Sequence, residues 1–102
     1  MSESRRIGDR ELELISLYSY CELGMTPQKF YFKWGVKYEQ MAEICNRSRS
    51  TVQGWFRQGR YYRRPTANDL RHLAVMNFLL EHFEEIPEDL WGQLCKDKKP
   101  KE

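Results

Sequence analysis

Between Tyr38 and Phe56 the chain reads YEQMAEICNRSRSTVQGWF, two short apolar helical faces joined by a residue suited to a tight turn. Tyr38, Met41, Ala42 and Cys45 recur at the spacing of one side of an α-helix. In the second segment, at about 100° per residue, Val52, Trp55 and Phe56 share the inward side. Arg49, Gln53 and Arg57 lie opposite them, with Ser50 alongside. Two helices joined by so short a turn must pack closely, and Ala42 is small enough to let them cross. Asn46 supplies the turn, because asparagine is one of the few residues other than glycine that adopts the left-handed conformation.

Helical signals continue on both sides. The spacing predicts a first helix from about Asp9 to Leu23, with Asp9 as N-cap, Leu14, Leu17, Tyr18 and Cys21 on one face, and Gly24 as its stop. Thr26 then caps a helix with Pro27 in its first position, and Met25 is placed to pack back on Phe30. That helix carries Phe30 and Trp34 inward and ends at Gly35. The third helix runs from about Lys37 to Cys45. The fourth starts at the N-cap Ser48 and runs to about Gln58, before Gly59. A basic and aromatic connector, Arg60 to Pro65, follows. Thr66 and Asp69 then form a start resembling a capping box for a long helix reaching about Glu85. Ile86-Pro87 breaks it, and Glu88 to Leu94 allows a last short turn. No segment alternates with a period of two. The expectation is an all-α, compact bundle of five or six helices, one domain over residues 9–95, flanked by flexible ends at 1–8 and 96–102.

Composition narrows the class further. Hydrophobic residues at 40% and aromatics at 14% are more than a disordered chain carries. No apolar run approaches the roughly 20 residues of a membrane span, and the start, Met1 to Arg10, has no apolar leader core. A cytoplasmic protein is therefore expected, with no membrane partner. Cys21, Cys45 and Cys95 are odd in number and widely spaced, without histidine at ligand distance, so they read as small buried hydrophobes. His72 and His82 read as structural or surface residues, and Glu81, Glu84 and Glu85 as an acidic face. No Ser-His-Asp order, glycine-rich phosphate loop or HExxH motif is present. No enzymatic activity, metal or cofactor is expected.

The net charge of +2 is unevenly spread. From Ile44 to Asn68 there are six arginines with no lysine and no acid, and the remainder carries 11 basic and 15 acidic residues. A segment of +6 on a remainder of −4 is the footprint of a phosphate-binding surface, or else an arginine-rich solvated face.

The stretch MTPQKFYFKWGVKYEQMAEICNRSRSTVQGWF resembles the helix-turn-helix of the phage repressor and Cro family over about residues 25–58. The resemblance matches the family's small scaffold residue to Ala42, its turn glycine to Asn46, and its buried valine and tryptophan to Val52 and Trp55. Two positions depart from the pattern: Arg47 stands where the family is aliphatic, and Gly54 lies within the fourth helix. Glycine there costs about 1 kcal/mol relative to alanine, which suggests a close approach to the backbone, by a phosphate or a methyl group.

What the resemblance implies is sequence-specific binding of double-stranded DNA, with helix 48–58 in the major groove. Arg49, Ser50, Gln53 and Arg57 would face the bases. Arginine matches O6 and N7 of guanine and glutamine pairs with adenine. Ser48, Arg47, Arg60, Tyr61, Tyr62, Arg63 and Arg64 would contact phosphates, with Arg47 at the turn facing solvent. A transcriptional repressor is the leading reading. A DNA-binding accessory subunit of a mobile element or plasmid replication system would use the same surface. A third reading is a protein-interaction module, antitoxin-like or adaptor-like, working through the long helix. That helix carries two apolar stripes: Leu70, Leu73, Met76, Leu80 and Phe83, and Val75, Phe78, Leu79 and Ile86. The second stripe packs within the monomer or against another copy as a homodimer.

Overall fold

The computed structural model describes residues 6–20 and 22–95 and contains six α-helices, with no strand among the described residues. They are α1 (Asp9–Tyr20), α2 (Pro27–Trp34), α3 (Tyr38–Cys45), α4 (Arg49–Trp55), α5 (Ala67–Glu81) and α6 (Glu88–Cys95). Single 3-10 turns at Gly59–Tyr61 and Phe83–Glu85 lead into and out of α5. Most of residues 1–8, all of 96–102, and Cys21 lie outside the described residues. No helix is long and apolar enough to cross a membrane.

Hydroxyl caps start α2, α4 and α5. Thr26 Oγ1 accepts from Lys29 N–H at 3.2 Å, Ser48 Oγ from Thr51 N–H at 3.1 Å, and Thr66 Oγ1 from Asp69 N–H at 3.1 Å. Each satisfies a donor that the first helical turn leaves open. In α3 the lysine at the N-cap has no acceptor to offer. Its backbone N–H is instead taken by Gln40 Oε1 at 2.9 Å. Gly35 ends α2 in the left-handed region (φ 64°) and donates to Tyr31 O at 2.8 Å.

The core comprises Phe30, Met41, Ala42, Cys45, Val52, Trp55 and Leu73, drawn from α2, α3, α4 and α5. Met25, Trp34, Val36, Tyr38, Ile44, Phe56, Met76 and Leu80 pack around it, half-buried. Helix α3 lies between α4 and α5, and α2 also packs on α5. That second contact has polar locks: Trp34 Nε1 donates to Asn77 Oδ1 at 3.1 Å, and Lys33 pairs with Glu81. The Cys45 thiol sits inside, its Sγ 3.7 Å from Asp69 O. Burial, reinforced by the Asp69 charge, pushes it up to about 11.

Two expectations are corrected. Helix α1 ends at Tyr20 rather than near Leu23, and it buries none of its side chains, Leu14, Leu17 and Tyr18 included. The core residues come from α2 to α5, and the Tyr18 ring lies against the guanidinium of Arg71, 4.6 Å from its centroid. Helix α5 stops at Glu81 rather than near Glu85, because His82 leaves helical geometry (φ −114°, ψ 34°) and the chain tightens into the 3-10 turn. Of its two apolar stripes, Leu73 is buried and Leu70, Met76 and Leu80 are half-buried, whereas Phe83 is exposed with its edge against Trp91. In the second stripe Leu79 and Ile86 are half-buried, and Val75 and Phe78 are exposed.

Candidate nucleic-acid interface

The turn between α3 and α4 is built by Asn46 and Arg47. Asn46 is the one non-glycine with positive φ (58°) among the described residues. Its N–H donates to Glu43 O at 3.3 Å, and Arg47 N–H reaches back to Ala42 O at 2.9 Å. These paired bonds close the end of α3 and aim the chain into α4.

Arg47 stays partly exposed at the turn, its side chain 38% accessible, but it is paired. Its Nε donates to Asp69 Oδ1 at 2.9 Å and its Nη2 to Asp69 Oδ2 at 3.1 Å. Asp69 is only 2% exposed and also accepts from Thr66 N–H at 2.9 Å and Thr66 Oγ1 at 3.0 Å. Burial alone would raise its carboxyl pKa, but the Arg47 and Thr66 hydrogen bonds outweigh it and hold the group below the usual carboxylate range. A buried carboxylate requires a cation, and Arg47 meets that need at the position where the repressor pattern is aliphatic. Two of its nitrogens, Nε and Nη2, are thereby engaged with the fold. Ser48 is similarly engaged, its Oγ capping α4 within reach of the Ser50 and Thr51 hydroxyls.

Helix α4 is shorter than predicted, ending at Trp55 and not near Gln58. Gln28 of α2 donates its Nε2 to Trp55 O at 3.0 Å. Phe56 turns away to stack on Tyr38 at 4.8 Å, with its ring edge-on to Tyr31 at 5.4 Å. Arg57 therefore lies past the helix, its N–H bonded to Gly54 O at 3.2 Å, and the regular four-residue row of Arg49, Gln53 and Arg57 does not hold. Val52, Gly54 and Trp55 are buried, Gln53 is half-buried, and Arg49, Ser50 and Arg57 are exposed.

The other departure, Gly54, has a specific cause. A Cβ built there would lie 2.7, 2.9 and 3.0 Å from Cγ, Cδ and Cβ of Arg63, the first two closer than packed carbons approach. Arg63 N–H also donates to Gly54 O at 2.9 Å. Gly59, left-handed at φ 67°, turns the connector back so that it lies along α4. The close approach suggested by the mid-helix glycine is real, but the group that approaches is Arg63 of the same chain.

Ser50, Gln53, Arg57, Tyr61 and Arg63 consequently border one shallow depression of about 180 Å³. Arg57 also borders a neighbouring hollow with Gln28 and Tyr62. Arg60 lies over the Tyr61 ring at 5.6 Å, and Arg64 is exposed. Arg49 stands apart: its Nε is 3.3 Å from Glu39 Oε2 on α3, and both side chains are more than half exposed. Sequence reasoning missed three participants. Asp69 was seen as a cap but not as the partner of Arg47, and nothing local marks Gln28 or Glu39. Among the described residues, no buried side-chain nitrogen or oxygen lacks a partner, and no three His, Cys, Asp or Glu side chains group as metal ligands. Comparison with protein families, curated protein sequences and solved structures gives no match to this chain.

Proposed function

We propose that this protein binds double-stranded DNA sequence-specifically and acts as a transcriptional repressor, by occupying its site. The observation that carries this reading is the convergence of Ser50, Gln53, Arg57 and Arg63 on one exposed depression, within a segment of six arginines and no acid. Helix α4, about 10–12 Å across with its side chains, fits a major groove of about 12 Å. Gln53 offers an amide suited to adenine and Arg57 a fork suited to guanine. Arg49 joins them by exchanging Glu39 for a base, since an ion pair so exposed is weak. Arg60 and Arg64 supply phosphate contacts. A second copy docked through Val75, Phe78, Leu79 and Ile86 would set two α4 helices against half-sites about 34 Å apart.

Fluorescence anisotropy on a random duplex at about 50 and 200 mM salt tests the electrostatic part. If Arg60 and Arg64 each neutralise a phosphate, affinity falls by at least about tenfold between the two conditions. No binding at the lower salt overturns the proposal. Selection from a random DNA pool then tests sequence preference, and inverted symmetry in the selected site reports a dimer.

A second reading, a protein-interaction module, draws on a different observation. Leu14, Leu17 and Phe78 are 66%, 51% and 57% exposed, more apolar surface on α1 and α5 than a solvated face requires.

A further inference from the structure

We propose that Gly54 is a positioning residue: its missing Cβ is the seat that holds Arg63 on the face of α4, making Arg63 a base reader and not a flanking phosphate clamp. The proposal rests on the DNA-binding reading and adds to it a residue and a role that the sequence did not assign. Arg63 lies nine residues beyond Gly54 in a connector that the sequence presents as a row of interchangeable arginines and tyrosines.

Three facts set Arg63 apart from its neighbours. Its backbone is fixed to α4 by the 2.9 Å bond to Gly54 O. Its side chain leaves that anchor across Gly54, with Cβ, Cγ and Cδ all within 3.0 Å of where a Cβ would stand. It borders the same depression as Ser50 and Gln53. The crowded atoms belong to the root of the side chain, close to a hydrogen-bonded backbone, so a methyl group at position 54 cannot be cleared by a swing of the guanidinium. The stem must leave its seat, Cγ and Cδ first. Arg60 and Arg64 have no such seat. A guanidinium whose stem is immobilised keeps more of its binding energy for a directional contact, because less rotamer freedom is lost on binding.

The test uses the full chain and the duplex selected from a random pool by the wild-type protein. Arg63→Met keeps the aliphatic stem on Gly54 and removes only the charge. It is expected to leave the thermal midpoint in place, to weaken binding at least tenfold, and to abolish the preference at one or two base pairs of the selected site. A uniform loss across all sequences, with a shallower salt slope, would make Arg63 a phosphate clamp and overturn the proposal. Binding equal to wild type overturns it too. Gly54→Ala is expected to weaken binding about tenfold in the wild-type background and less than twofold in the Arg63→Ala background, where Cγ and Cδ are gone. Additive losses mean Gly54 acts without Arg63, and the seat is refuted. Should Gly54→Ala fail to fold, the Arg63→Met base-preference profile decides the matter alone. Absence of any DNA binding by the wild-type chain refutes the DNA reading itself, a result distinct from either failure.

Discussion

Replacing Asp69 with alanine removes the acceptor around which the turn and α5 are assembled, and its cost follows from the bonds it makes. Asp69 closes the capping box at Thr66, a contribution of about 1 kcal/mol. Its carboxylate also accepts from the charged side chain of Arg47, and hydrogen bonds to charged groups contribute about 1.5–3 kcal/mol. The lower end applies, because water replaces the carboxylate at a guanidinium whose side chain is 38% exposed. Asp69→Ala is therefore expected to cost about 2.5 kcal/mol, up to about half of the stability margin of a small domain. The thermal midpoint should fall by roughly 10–20 °C, followed by far-UV circular dichroism. The carboxyl is ionised more readily in the folded than in the unfolded chain. The stability it confers is thus fully present above the ordinary aspartate pKa of 3.8 and is lost as pH falls through the lower folded value. Stability of the wild type should drop in that acid window, and that of Asp69→Asn should drop less. The decisive control is Arg47→Met made in the Asp69→Ala background, which should lower the midpoint no further. A second, equal drop would show that the two residues act separately and would refute the reasoning.

The core makes a simpler claim: Leu73→Ala should cost about 2–5 kcal/mol, read as a shift in urea midpoint, since the residue is fully buried between α5 and α3. Its outward neighbour Phe78→Ala should lower the midpoint little unless the α5 face is covered by another chain. Glu39→Gln should leave the thermal midpoint unchanged and strengthen DNA binding at low salt, by removing a carboxylate beside Arg49; weaker binding would mean that Glu39 orients Arg49 instead. The Cys45 thiol, with its pKa pushed up to about 11, should resist iodoacetamide near pH 8 in the folded protein and react only on unfolding. Peptide mass spectrometry resolves this thiol from Cys21 and Cys95.

Much of the fold is written locally in the chain. Thr26-Pro27, Ser48 and Thr66 announce helix starts because their hydroxyls satisfy donors within three residues, a requirement visible without knowing the rest. The inward face of Met41, Ala42, Cys45, Val52 and Trp55 is equally legible from period alone. What could not be read has distant causes. The pairing of Arg47 could not be seen because its partner lies 22 positions away. The end of α4 was placed too late because a side chain from α2, Gln28, takes the final carbonyl and Phe56 is drawn to Tyr31 and Tyr38. Gly54 signalled a close approach without saying by what. The apolar spacing of α1 shows a face that wants cover, but spacing does not say whether the same chain supplies it.

The contact between Arg47 and Asp69 has a topological consequence. Every residue from Ser48 to Arg64 lies between those two positions, so the whole candidate interface is a segment whose ends are joined by one ion pair, a non-covalent ring. The entropy of bringing such ends together grows only slowly with the length of the segment. Residues could be added within the connector at small cost to the closure, which the packing of α3 on α5 supports beside the ion pair. The candidate interface is in this sense held at its root, by a carboxylate buried outside the segment that it closes.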